Sequence, residues 1–195
     1  SSVTFKELWG FARELPAIAW AVSLFAAFEA MILTLLPVYC LQQGFSTEIA
    51  LFMVSTVVVG DAVLQLPIGA LADHMSRRTL FTGCAVTLLV SSLAIPLLLH
   101  TPVIWPLWVL FGASAGGLFT LSLVLIGERY RDDELVRANA HVAQLGGIGC
   151  LLGPLLAGAG SQWISGHALL FLMAAGAAGL VVLTRRRGAF EPVSA

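Results

Sequence analysis

Glu29 and Asp61 most invite a chemical reading, because each carboxyl stands alone within a long apolar run. On insertion scales an acidic side chain at the centre of a bilayer costs about 2.5–3.5 kcal/mol, so such a residue is paired, hydrated or part of a pathway. Gln65 follows Asp61 by one helical turn and would share its face. Two readings stay open. Either Glu29 or Asp61 carries a coupling proton or contacts a cationic or polar solute, or both are protonated structural groups hydrogen-bonded to backbone or to Gln65. His74, His100 and His167 fall in separate turns, and His141 with Gln144 reads as an interfacial polar pair. These positions assemble no metal ligands and no nucleophile–base pair, so neither a metal, a cofactor nor an intramembrane enzyme is expected. Cys40, Cys84 and Cys150 lie far apart, in or beside apolar runs, and read as small packing residues.

The elements that must position the two carboxyls follow from composition. Of 195 residues, 58% are hydrophobic and 11% charged, and the mean hydropathy is +0.93. That leaves too little charge to solvate a soluble domain, and nothing calls for a nucleic-acid partner. A helix crosses the hydrocarbon core with about 20 apolar residues. Six runs qualify: Pro16–Leu41, Thr47–Ala72, Thr79–Leu99, Val103–Ile126, Ala138–Gly160 and Ala168–Thr184. Short connections oblige them to pack as one bundle. Glu29 lies thirteen residues beyond Pro16, about 20 Å along a helix. Asp61 lies fourteen residues into the antiparallel second run, which puts both carboxyls near the midplane.

All basic residues fall at one end of these runs: Lys6 and Arg13; Arg77 and Arg78; Arg129, Arg131 and Arg137; and Arg185, Arg186 and Arg187. Turns on the other side, 42–46, 100–102 and 161–167, carry no Lys or Arg. Basic residues are retained on the cytoplasmic side, so both termini are expected there. Residues 1–15 then read as a cytoplasmic lead-in with an interfacial helix, 16–184 as the transmembrane bundle and 185–195 as a cytoplasmic tail. Trp105, Trp108 and Trp163 are expected in the outer aromatic belt, and Trp9 and Trp20 in the inner one. The first apolar run is too long for a cleaved signal peptide. A start without Met points to a fragment or a processed product. By polar content, the third and sixth spans read as lipid-facing, and the first, second, fourth and fifth as suited to an interior or a cavity.

The stretch from Gly69 to Leu80 carries Gly69, Asp73, Arg77 and Arg78 at fixed spacing between the second and third spans. It resembles the signature loop of major facilitator superfamily transporters, with His74 in place of a basic residue and Ser76 in place of a glycine. The glycine-rich run Gly146 to Gly160, with Gly149, Gly153 and Pro154, is similar to the Gly-Pro-containing helix of the same superfamily, and opens a groove for helix packing. The segment 127–139 resembles its loop between the fourth and fifth helices.

The resemblance covers nearly the whole chain and implies an all-α membrane protein, one half of a twelve-span transporter built of 3+3 inverted repeats. The basic tail, the charged lead-in and the degenerate signature loop point to the C-terminal half. It implies secondary active transport of a small solute by alternating access, with a proton as one candidate coupling ion. Gly69, Asp73, Arg77 and Arg78 would act as a gating loop, and the N-terminal six-helix half would be the partner, in a bacterial inner membrane. The alternative is a six-span protein that dimerises into a transporter or serves as a binding subunit of a membrane complex.

Overall fold

The computed structural model describes residues 4–186 and Phe190. Among the described residues the chain forms eight helices and no strand: α1 (Phe5–Glu14), α2 (Pro16–Thr34), α3 (Leu36–Gln42), α4 (Thr47–His74), α5 (Arg77–Leu98), α6 (Ile104–Arg129), α7 (Asp132–Trp163) and α8 (Ala168–Arg185). Six of them, α2 and α4 to α8, are long and apolar enough to cross a membrane. The expected first span is divided between α2 and α3 at Leu35, two residues ahead of Pro37. Proline lacks the N–H that would continue the ladder, so the break falls there. Pro67, Pro96 and Pro154 instead lie inside continuous helices. Of the expected tail, 187–189 and 191–195, including Arg187, lie outside the described residues.

Two seams dominate the packing, α4 against α6 and α2 against α7, and α5 bridges α6 and α8. Exchanging the first three spans for the last three in order maps one dominant seam onto the other and returns α5–α8 to itself. That is the relation expected of two three-helix repeats. Each dominant seam closes through glycine. A Cβ on Gly112 would run into the Val57 carbonyl, and one on Gly149 into the Ser23 carbonyl. Gly153, one turn on, meets the Ala27 backbone, whose Cα would lie 2.8 Å from an added Cβ. Backbones this close gain dispersion contact that lipid cannot replace. Phe25, Phe28, Phe111 and Trp108 fill the centre with stacked and edge-to-face rings.

Several expectations change. Trp108 is fully buried against Phe111 rather than placed in the outer belt. Trp163, by contrast, is 86% exposed at the end of α7. Segment 127–139 is not a loop, because only Tyr130 and Arg131 separate α6 from α7. The first turn of α7 holds Asp132, Asp133 and Glu134, and acids at a helix N-terminus favour helix over coil. Coverage within this chain does not follow the polar content of the spans. Within their apolar windows α5 and α8 are 39% and 50% buried, whereas α4 and α7 are 22% buried each. Polar content reports where a polar group is tolerated; coverage is decided by which flank another helix occupies. Finally, α1 does not simply lie on a surface: Leu8 and Phe11 dock it on α2 and α7.

Candidate functional site

Asp61 sits halfway along α4, where the seam with α6 is tightest. The Gln65 side-chain amide donates to Asp61 Oδ1 at 2.8 Å. Across the seam, a Cβ on Gly116 would overlap that same oxygen and lie 3.2 Å from the Gln65 nitrogen. The pair therefore occupies a notch that a glycine on α6 leaves open. Glu29 lies on α2 and is exposed. The structure thus brings Asp61 and Gln65 together in the α4–α6 seam, while Glu29 stands on α2, which also packs on α6. Their environments differ. Asp61 is partly enclosed and already accepts a hydrogen bond, while Glu29 has no hydrogen-bond partner among the described residues. An open, unanchored carboxyl on a membrane span is suited to taking up a proton or a cationic group.

The expected gating residues lie at the basic end of the bundle. Gly69 and Asp73 belong to α4, and only Met75 and Ser76 interrupt the helices before Arg77 opens α5. Arg77 donates through Nε at 3.2 Å and Nη2 at 2.6 Å to Glu128 Oε1 at the end of α6. It also stands 3.9 Å from Asp73, whose side chain is 76% exposed. Arg78 donates to the Thr184 carbonyl of α8 at 2.8 Å, and Arg129 pairs with Glu14 of α1. The N-terminus of α5 is thereby tied to the ends of α6 and α8. At Gly69 an added Cβ would meet nothing within 4 Å among the described residues. Burial pushes the Tyr130 phenol above its usual value, so beside Arg129 it stays neutral.

Glu14 and Glu128 are the functional-looking residues that the sequence reading passed over. Their signal is acids interleaved with basic residues at span ends, in Arg13-Glu14 and Glu128-Arg129. Because the Arg77 and Glu128 side chains are 26% and 51% exposed, solvent screens their pair. A double-mutant cycle of Arg77→Gln and Glu128→Gln, read by thermal unfolding in detergent, is expected to give a coupling of no more than about 4 °C in Tm. A value well above that would show the pair to be desolvated in the bilayer-facing protein. The remaining expected positions, Gly149, Gly153 and Pro154, form the α7 side of the seam with α2. Pro154 there removes one rung of the helix ladder.

Residues 18–193 match the sequence model of the Major Facilitator Superfamily. Among curated proteins, the uncharacterized MFS-type transporter YcaD of Escherichia fergusonii is 31% identical over 155 residues, covering 80% of this chain and 40% of the relative. An uncharacterized MFS-type transporter of an Enterobacter species is 29% identical over 157 residues, with the same coverage of 80% and 40%. The chain thus spans about 40% of the length of the relatives it matches.

Proposed function

The chain belongs to the major facilitator superfamily, and from that membership we propose that it works as one six-helix half of a secondary transporter that moves a small solute by alternating access. It is an integral membrane protein of a transporter family rather than an enzyme. The observation that carries the half-transporter reading is the uncovered flank of α4 and α7. Leu51, Phe52, Val63 and Leu66 on α4, and Leu151 and Leu155 on α7, are all exposed. These are the two spans that the repeat relation exchanges. A second bundle laid against them would bury both flanks at once and enclose Glu29 and Asp61 between the halves. The span of about 40% of the relatives' length supports the same reading. The N-terminal half is the partner in this reading, the membrane a bacterial inner membrane, and the basic end with both termini cytoplasmic.

The test is the mass of the native protein in source membranes, by immunoblot with an antibody to this chain. A band near twice 20.6 kDa supports the half. A band at 20.6 kDa that crosslinks to itself through cysteines at Leu66 and Leu151 replaces it with a homodimer.

In this proposal the basic end acts as a latch. Arg77 engages Glu128 firmly and Asp73 only at the edge of ion-pair distance, so Asp73 is the partner free to exchange as the halves rock. Asp73→Asn is expected to slow solute exchange in proteoliposomes by up to about fivefold, as loss of one exposed charged contact does, while leaving thermal stability unchanged. Full exchange rates in that variant would remove the latch.

A further inference from the structure

The flank of the bundle between α2, α7 and α8 carries a groove that the transport reading does not use. It has two connected compartments, of about 510 Å³ and about 360 Å³, which share Trp20 and Ser23. The first runs from Ala12 and Pro16 past Trp20 to Val182 and Leu183 at the basic end. The second continues along Ala27 and Met31 of α2 between Leu152 of α7 and Ala175 of α8. From Pro16 to Met31 the groove follows fifteen residues of helix, about 22 Å, longer than one leaflet of a hydrocarbon core about 30 Å thick. Trp20 lies across the α2–α8 seam, its indole N–H donating to the Gly176 carbonyl at 2.8 Å, and gives the groove a fixed aromatic wall.

Charge is distributed about the basic end of this groove in a consistent way. On α1, Ala12 lines the groove, and helical spacing puts Phe5, Trp9 and Arg13 successively on that flank. The acids Glu7 and Glu14 face a different cleft, on the α7 side, which also holds Arg137 and His141. On α8, Arg185 follows the groove residue Val182 by three positions, and Arg186 is the extended residue that caps the helix. Arg13, Arg185 and Arg186 are exposed, and among the described residues none of them enters an ion pair.

We propose that this groove holds one acyl chain of an anionic phospholipid, whose phosphate is gripped by Arg13, Arg185 and Arg186. An apolar channel one leaflet long, with three cations that have no ion-pair partner among the described residues at one end and a tryptophan along its wall, has the polarity profile of a single lipid. A partner helix would need apolar contact along its length and would leave those cations unmatched.

Native mass spectrometry of the full chain in mild detergent tests this, with phosphatidylglycerol or phosphatidylcholine of equal chain length as probes. One retained phosphatidylglycerol is expected, in preference to phosphatidylcholine. Arg13→Gln, Arg185→Gln and Arg186→Gln together are expected to weaken that retention by about fivefold per charge removed. All three side chains are exposed, so the fold is not at stake. Ala175→Phe, which fills the second compartment from an exposed position, should reduce retention of both lipids, whereas Leu97→Phe on the distant α5 surface should not. Equal retention of the two lipids, or no effect of either groove variant, overturns the proposal. So does persistent protection of Ala175→Cys from a maleimide in native-length protein stripped of lipid, which would assign the groove to a protein segment.

Discussion

Gly149→Leu and Gly112→Leu are each expected to leave little folded protein in detergent extracts. Both glycines stand where an added Cβ would lie inside contact distance of a carbonyl on the facing helix, Ser23 for Gly149 and Val57 for Gly112. The obstructing atoms are backbone, so no rotamer change relieves the clash. The helices must separate, and the seams that would open are the two most extensive in the bundle. Overpacking a soluble core by a methylene or two costs about 1–3 kcal/mol. Here a whole side chain is forced between backbones whose association rests on van der Waals contact, so the loss should exceed that range. Gly69→Leu is the informative control. Gly69 belongs to the motif that carries the family resemblance, yet a Cβ there meets nothing. Replacing a helical glycine should then be neutral or stabilising by up to about 1 kcal/mol. The measurement is thermal unfolding by circular dichroism with monodispersity on a sizing column. Equal melting temperatures for Gly149→Leu and Gly69→Leu would show that the seam is not closed by glycine.

That contrast shows what a single sequence makes legible. Length and hydropathy place the spans because lipid imposes one requirement on every spanning residue, that its backbone be satisfied within its own helix. Four of the six span starts fall within one residue of their expected positions. The exceptions are α5, which opens two residues early at Arg77, and α7, which opens six residues early at Asp132. Charge there, read as a loop signal, in fact stabilises the helix start. Burial is less legible, because it depends on neighbours. Trp108 has the composition and position of a belt residue, but α6 turns it inward onto Phe111. The plain sequences of α5 and α8 conceal that they pack on one another. Of the candidate site, the Asp61–Gln65 pair follows from helical spacing, while the Gly116 notch that receives it needs the register of two helices fifty residues apart in sequence. The ties from Arg77 to Glu128 and from Arg78 to Thr184 likewise join segments that no local pattern connects.

Glu29→Gln is expected to abolish proton-driven accumulation while leaving solute exchange in place, and Asp61→Asn is expected to preserve both. The difference follows from what each carboxyl touches. Asp61 accepts from Gln65 and rests in the Gly116 notch. An asparagine oxygen can accept the same bond, so the seam and the anchoring survive. Glu29 is exposed and hydrogen-bonded to nothing among the described residues. Its charge state is therefore the one that an arriving proton or cation can change. One pH unit is worth about 1.36 kcal/mol per proton. A transporter that couples one proton to one solute can thus hold about a tenfold gradient under that imposed difference. In proteoliposomes of the native-length protein, with trapped pyranine reporting proton flux, screening identifies a solute that triggers a pH change. With that solute, Glu29→Gln should bring the accumulation ratio from about tenfold to about one and silence the pyranine signal, while counterflow exchange continues. Asp61→Asn should remain within about fivefold of the unmodified protein, since the anchoring bond is worth only about 1 kcal/mol. A pyranine signal that persists in Glu29→Gln and vanishes in Asp61→Asn would reverse the assignment. The anchored carboxyl would then be the proton carrier, with Gln65 the group that releases it.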